Sequence, residues 1–333
     1  MLLVNNPGTW AAIWPPLRHA EWHGCTPTDL IFPFFLFIVG ITTELSKKEP
    51  VRILRRGALI ILLGLLVNAF PYFELGTLRW MGVLQRIGLV YIVAALIAWK
   101  ASRRAIVIIV IAILFGYWAL LALHGPLEPP SATYAAQIDR ALIPEAHLWK
   151  QAKTWDPEGP VSTIPAVATA LLGVLAAQAV KEQKIKLLTI AGIIGIAAGF
   201  AWGQLFPINK SLWTSSYVVY TAGWACVVMA GTLASRRLAG RRPAAHGAET
   251  ALVQPARTPA FLVFGVNPLL AFVGSGMMAR LLGITKLQQL SYRTLYKPFF
   301  PPELASFLWA LTFVGIWWAI LALLYRRNIV LKV

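Results

Sequence analysis

Residues 105–123 read AIVIIVIAILFGYWALLAL, an uninterrupted apolar run with no ionisable side chain but one tyrosine. At 1.5 Å per residue such a run reaches across most of a ~30 Å hydrocarbon layer. It is not alone. Uncharged apolar blocks recur at Gly57–Phe73, Ser162–Val180, Leu187–Phe206, Thr214–Ala234, Ala260–Ala279 and Leu304–Tyr325. Thr26–Leu45 and Gly82–Trp99 match them in length but carry Asp29 and Arg86 near their starts. Composition agrees: hydrophobic residues make up 58% of the chain, charged residues 13%, and the mean hydropathy is +0.67. The expected fold is therefore an all-α polytopic transmembrane helix bundle, one integral-membrane domain over residues 1–333, with nine spans read directly.

A net charge of +17 invites a nucleic-acid reading, so the placement of the charge decides. Nineteen of the 30 Lys and Arg fall in five clusters on alternate links between spans. These are Lys47, Lys48, Arg52, Arg55 and Arg56; Lys100, Arg103 and Arg104; Lys181, Lys184 and Lys186; Arg236, Arg237, Arg241, Arg242 and Arg257; and Arg326, Arg327 and Lys332. The positive-inside rule makes that side cytoplasmic. The charge thus encodes topology and excludes nucleic acid as the partner; the partner is the bilayer, here an inner (cell) membrane. The opposite face holds most of the acids, Glu21, Glu74, Glu128, Asp139, Glu145, Asp156, Glu158 and Glu303, which favours a cationic or amino-bearing substrate there. Cys25 and Cys226 fall at different depths and are read as unpaired, and neither has metal-ligand spacing with a histidine, so no metal is expected.

The chemistry concentrates at HAEWHGCTPTDLIFP, residues 19–33. Thr26-Pro27-Thr28-Asp29 is a helix start in which Thr26 caps, Pro27 suits the first turn and Asp29 reaches back as a capping-box acid. A second role for the same carboxylate is to orient a catalytic imidazole, and its several acceptor sites allow both. Arg86 lies about one turn inside its helix, where an arginine either snorkels to the headgroups or serves a site. The 124–161 loop is long enough to cover or bind something. His124 and His147 in it, and His246 in the Arg-rich link, are read as solvated. Trp99, Trp149, Trp155 and Trp213 are read as an interfacial aromatic belt.

Several ordered blocks resemble the heparan-α-glucosaminide N-acetyltransferase family, whose bacterial members look like transmembrane glucosamine N-acetyltransferases. The strongest is H-A-x-W-x-G-x-T-x-x-D-L-x-F-P-x-F-x-F-I-x-G, His19 to Gly40. Supporting blocks are LVNNPG (Leu3–Gly8), NAFPYF (Asn68–Phe73), GVLQRI (Gly82–Ile87), WDPEG (Trp155–Gly159), NKSLWTSSY (Asn209–Tyr217) and GVNPL (Gly265–Leu269). The resemblance covers nearly the whole chain. It implies that His19 is the active-site histidine, that His23 sits at a variable position, and that Asn5, with Asn6 beside it, matches the asparagine after the family's first helix. It also implies eleven spans. The start MLLVNNPG enters that pattern at the end of the first helix, so a preceding helix is expected upstream, and a re-entrant or tilted tenth element is expected around Gln288–Phe300.

The activity implied is transfer of acetyl from cytoplasmic acetyl-CoA, as co-substrate, to the amine of glucosamine or a related amino sugar at the outer face. His19 would act as base or nucleophile, Asp29 would orient it or hold the sugar's ammonium, and Asn5 or Arg86 would donate to the developing oxyanion, worth roughly 2.7–4 kcal/mol per donor elsewhere. Candidates to bind substrate or acetyl-CoA are Asn6, Trp22, Arg79, Gln85, Arg86, Asp156, Glu158, Asn209, Lys210 and Asn267. Basic cytoplasmic loops suit the CoA phosphates. Competing readings are an O-acyltransferase of a surface glycan, a secondary transporter of a small sugar, and a non-catalytic scaffold. The bundle also leaves room for a homo-oligomer.

Overall fold

The computed structural model describes residues 1–238 and 260–331. Arg241, Arg242, His246, Arg257 and Lys332, named above for topology, lie outside the described residues. The described residues are helical without strands. In chain order the helices are α1 (Leu2–Asn5), α2 (Ile31–Ser46), α3 (Pro50–Ala69), α4 (Val83–Lys100), α5 (Arg103–Leu123), α6 (Tyr134–Leu142), α7 (Pro160–Lys181), α8 (Ile185–Trp202), α9 (Ser215–Leu238), α10 (Ala260–Val266), α11 (Pro268–Ile284), α12 (Leu287–Leu295) and α13 (Pro302–Arg326). Seven of the described helices are long and apolar enough to cross a membrane, and eight if the bent pair α11–α12 counts as one span.

The all-α multi-span class stands; among the described residues, two of the nine expected blocks fall short of that length and composition for local reasons. The block expected at Gly57–Phe73 forms a helix that begins earlier, at Pro50, and takes Arg52, Arg55 and Arg56 into its first turns. The block expected at Ala260–Ala279 is broken at Asn267, between α10 and α11. The tilted element expected around Gln288–Phe300 is present as α12, turned 79° from α11. By packing, the chain divides into two compact units.

The larger unit holds residues 19–69 and, from Phe73 on, α4 to α9. Its interior is built on backbone approach. At Gly173 of α7 an added Cβ would lie 2.0 Å from the carbonyl oxygen of Phe37, and at Gly40 of α2 it would lie 1.8 Å from that of Ala170. Helices in lipid gain little from hydrophobic exclusion, so close packing over small residues is what joins them. Outward, Ile108, Ile111 and Phe115 on α5 and Ile190, Ile193 and Ile194 on α8 are exposed, an apolar surface suited to lipid and not to water. The smaller unit holds residues 1–18, 70–72 and α10 to α13, around a core that includes Tyr292, Trp309, Phe313, Trp317 and Leu321.

Two arginines fasten the 124–161 segment within the larger unit. Arg79 grips Asp156 with two parallel bonds, Nε to Oδ2 at 2.8 Å and Nη2 to Oδ1 at 2.5 Å, and reaches Glu158 Oε2 at 2.5 Å. Burial pulls the guanidinium toward its neutral form, and the two carboxylates override that and raise its pKa. Arg86 does not snorkel. It is fully buried, donating through Nε to Thr163 Oγ1 at 3.2 Å and through Nη2 to the Pro157 carbonyl at 2.8 Å and to Ser162 Oγ. Its guanidinium carbon lies 5.1 Å from the Trp213 ring centroid. Trp213, expected in an interfacial belt, is itself fully buried and donates to Thr169 Oγ1 at 3.0 Å.

Asp139 of α6 completes this cluster: its Oδ2 accepts the Asp156 amide at 2.9 Å, while Oδ1 is buried with no partner among the described residues. Burial, with the nearby Asp156 charge, pushes its carboxyl up to about 7. The folded state therefore binds this proton more tightly than the unfolded chain does. The stability from that proton is present below the ordinary carboxylate pKa of ~4 and is lost as pH rises through about 7.

Two outcomes follow from this packing. Gly173→Val should destabilise the larger unit by about 1–3 kcal/mol through forced separation of α2 and α7, read as a lowered thermal midpoint in detergent. Gly231→Ala, where an added Cβ meets nothing, is its unaffected control. Asp139→Asn imitates the protonated acid, so its midpoint should match the parent's near pH 4 and exceed it by a margin that grows up to about pH 7 and then stays level. A margin independent of pH would refute the burial account.

Candidate functional site

The site in the larger unit is built around one buried carboxylate. Pro27–Leu30 forms a short 3-10 turn that leads into α2, and Asp29 stands at its third position. Asp29 is almost fully buried, so each of its oxygens needs donors. Oδ2 takes the Thr26 amide at 3.0 Å, the Thr26 hydroxyl at 3.1 Å and the Ala20 amide at 3.0 Å. Oδ1 takes His19 Nδ1 at 2.6 Å, with Lys210 Nζ 3.3 Å away. One oxygen thus makes the cap contacts expected from sequence, and the other touches the His19 ring.

That contact fixes the imidazole tautomer. A carboxylate oxygen 2.6 Å from Nδ1 requires a proton between them, so Nδ1–H donates to Asp29 and, in the neutral ring, the lone pair lies on Nε2. Lys210 Nζ lies 3.0 Å from Nδ1 and 3.5 Å from Nε2. With Nδ1 already a donor, the ammonium's partner there is Asp29. The His19 side chain is 43% exposed, so Nε2 belongs to a ring a substrate can reach. Tyr217 braces the same turn, its hydroxyl donating to the Asp29 carbonyl at 2.6 Å.

The segment around His19 is tied to the 207–214 segment. Gly24 N donates to the Ile208 carbonyl at 2.7 Å. Asn209 is fully buried; its Oδ1 accepts the Leu212 amide at 2.8 Å and its Nδ2 lies 3.2 Å from His23 Nδ1. His23 Nε2 is 3.0 Å from Glu128 Oε1, so this ring is held from both sides. Trp22 donates Nε1 to the Leu127 carbonyl at 2.9 Å and packs edge-on against Trp155 at 5.3 Å, which packs against Trp149 at 5.4 Å. Trp149 and Trp155 are therefore partners in a ring cluster and not separate belt residues. Burial pushes the Cys25 thiol up to about 12, aided by the Asp29 charge, which leaves it a poor nucleophile at neutral pH.

The sequence-predicted residues separate into groups. His19, Asp29, Trp22, Asn209 and Lys210 come together. Arg79, Asp156, Glu158 and Arg86 form the ion-pair and hydrogen-bond cluster that holds the long loop. Arg86, expected as an oxyanion donor, spends its Nε and Nη2 donors on that loop and on α7. Gln85 is buried beside Gly64 of α3, where an added Cβ would meet its Oε1 at 2.5 Å. Asn5, Asn6 and Asn267 belong to the smaller unit. Asn5 is exposed in α1, and Asn6 Nδ2 donates to the Leu2 carbonyl at 2.7 Å. Asn267 is buried with both amide atoms engaged by the chain end, Nδ2 with the Ile329 carbonyl at 3.1 Å and Oδ1 with the Leu331 amide at 2.8 Å. Its role there is to pin backbone. His147, read as solvated, bonds the Leu78 carbonyl through Nδ1 at 2.7 Å and stacks on Trp80 at 4.5 Å.

Sequence reasoning missed Tyr217 and the pairing of Glu128 with His23. Tyr217 ends the quoted NKSLWTSSY block and was within reach of a reading that block would support. Glu128 carries no local signal, since its link to residue 23 exists only in the folded loop. Among the described residues no group of three His, Cys, Asp or Glu is placed to hold a metal ion.

Comparison with known proteins bears on this geometry. The family described as heparan-alpha-glucosaminide N-acetyltransferase, catalytic, matches residues 13–198. Among curated relatives, the heparan-alpha-glucosaminide N-acetyltransferase of Mus musculus is 28% identical over 69% of this chain, and that of Homo sapiens 27% identical over 69%. The chain spans less than half of their length, 46% and 45%. The family match takes in more than half of the chain and contains the His19–Asp29 pair together with Arg79, Arg86, Asp156 and Glu158, so this chain belongs to the heparan-alpha-glucosaminide N-acetyltransferase family.

Proposed function

We propose that this chain transfers an acetyl group from acetyl-CoA to the amine of glucosamine or a related amino sugar, with His19 as the reacting side chain. The observation that carries this reading is the 2.6 Å contact from His19 Nδ1 to buried Asp29, which commits Nδ1 to donation and leaves Nε2 as the basic nitrogen. In the reaction the amine nitrogen bonds to the thioester carbonyl carbon, the C–S bond breaks, and the sulfur leaves as thiolate. The proton released by the amine passes to Nε2 and neutralises the thiolate. The same lone pair serves if acetyl first rests on the imidazole; acid-quench trapping of labelled acetyl-enzyme separates the two courses. Asp29 stabilises the imidazolium that forms, as a buried carboxylate does for other catalytic histidines.

Lys210 is the cation beside this pair, where it balances the Asp29 charge. Glu128, on His23, offers an exposed carboxylate near the ring cluster for the acceptor's ammonium or hydroxyls. Acetyl-CoA would come from the side marked by the basic clusters and the sugar from the side of His19, in a multi-pass protein of the cell membrane. The positive-inside pattern supports this sidedness.

An acetyl-CoA assay with glucosamine and a panel of sugars tests the activity. His19→Ala should lower the rate by about 10² to 10⁴ or more while leaving the melting temperature near the parent's. Asp29→Asn can present an amide N–H to Nδ1, moving the imidazole proton to Nε2 and blocking it, so a loss of similar order is expected. His23→Ala should keep most of the activity. Equal losses in His19→Ala and His23→Ala would point to a shared structural role and remove His19 from the chemistry. For sidedness, a cysteine placed in the 124–161 loop should react with an impermeant reagent from outside, and a reporter after Val333 should behave as cytoplasmic. The reverse labelling pattern would invert the orientation.

A further inference from the structure

The smaller unit contains a groove of about 820 Å³, inside the size range of small-molecule sites. One wall is α12 and the residues just after it; the other carries Trp10. Among its lining residues are Gln289, Arg293 and Lys297, spaced four apart and so on one side of the helix and its continuation. The backbone continues to wind past the helix end, with the Lys297 amide donating to the Tyr292 carbonyl at 3.0 Å. Arg293 and Lys297 are exposed, and neither forms an ion pair among the described residues. Trp10 is 65% exposed, an indole left open beside two cations. Glu303 is the acid in the lining, so the side chains here carry a net positive charge.

The other side of α12 is apolar and open. Leu287, Leu290 and Leu295 are all exposed, as are Phe299 and Phe300 just beyond. The helix turns 79° from α11; taking α11 as the membrane-crossing arm of this bent pair lays α12 along the membrane plane. An amphipathic helix in that attitude sinks its apolar side to the acyl boundary, which brings the opposite side to headgroup level. The bland reading is a surface helix with solvated cations. It accounts for neither the groove nor the exposed indole in the same lining, and exposed tryptophans of membrane proteins commonly serve as interfacial anchors.

We propose that this groove seats the headgroup of an anionic phospholipid. Arg293 and Lys297 hold the phosphodiester, and Glu303 and Gln289 take the headgroup's remaining hydroxyls. Trp10 packs along the glycerol region. The phosphate comes from the bilayer and not from a soluble ligand, because the groove opens beside an apolar face at the depth where headgroup phosphates lie. This assignment rests on the multi-span architecture and is independent of the acetyl-transfer reading.

The test uses the full chain, purified in neutral detergent and stripped of lipid, with dioleoyl phosphatidylglycerol added and binding followed by native mass spectrometry. Each cation near such a surface is worth about a fivefold change, so Arg293→Gln or Lys297→Gln should weaken binding ~5-fold and the double variant ~25-fold. Both side chains are exposed, so the melting temperature should not move; if the double variant does not fold, Lys297→Gln alone decides. Location is read with a brominated phosphatidylglycerol, whose quenching should drop in Trp10→Phe by the share of that indole. Binding within twofold of the parent in the double variant overturns the proposal, as does equal binding of dioleoyl phosphatidylcholine. Glycerol 3-phosphate competing at the same concentration as the lipid would assign the groove to a soluble phosphate ligand and overturn it too.

Discussion

Everything at the site depends on keeping one carboxylate ionised where water cannot reach it. An unpaired charge so placed costs several kcal/mol, and the chain meets that cost by surrounding Asp29 with donors drawn from separate stretches. Two backbone amides and a hydroxyl close on one oxygen, and an imidazole and an ammonium on the other. The arrangement has a structural consequence and a chemical one, and they are inseparable. The oxygen that caps the start of α2 fixes the carboxylate in space, and a fixed carboxylate is what sets the direction and tautomer of His19. The acid that caps a helix is, in the proposed reaction, also the residue that orients His19.

A second constraint comes from the long 124–161 segment. Loops of this length in a compact bundle need anchoring, and here the anchors are guanidinium groups. Arg79 binds two carboxylates with a fork that lysine lacks, and Arg86 crosses from α4 to the start of α7 and the Pro157 carbonyl. The loop then supplies Leu127, Glu128, Trp149 and Trp155 to the surroundings of Trp22 and His23. The acids of this face, read from sequence as attractors of a cationic substrate, are therefore not one population. Asp156 and Glu158 are neutralised internally, Asp139 is held toward its protonated form, and Glu128 keeps an exposed carboxylate.

How legible this was depends on the range of the interaction. Apolar runs are local, so the multi-span helical class could be read from residues 105–123 and their counterparts. The TPTD cap is also local, and it holds in detail. Breaks inside runs are harder. Asn267 interrupts an apolar block because its side chain is taken by backbone at Ile329 and Leu331, more than sixty residues away, and hydropathy has no record of that. Arg86 shows the same limit from the other side. Its position marked it as exceptional, but whether it faced headgroups, substrate or protein was decided by Ser162, Thr163 and Pro157, distant in sequence. Trp99 is exposed at the end of α4 as the belt reading expects, whereas Trp149, Trp155 and Trp213 pack on protein: near a span end, sequence alone does not separate an indole facing lipid from one packed inside.

The two histidines of HAEWH make the sharpest comparison. They are four residues apart, similar in local composition, and each contacts a carboxylate. What separates them is which carboxylate, and what holds the other nitrogen. His19 meets a buried acid whose charge is fixed by four further donors, and among the described residues its second nitrogen contacts only Lys210, at 3.5 Å. His23 meets Glu128, which is solvated and contributes little electrostatic bias, and its second nitrogen is already occupied by Asn209. A ring engaged on both sides has no lone pair to offer a substrate; it can only hold the segment in place.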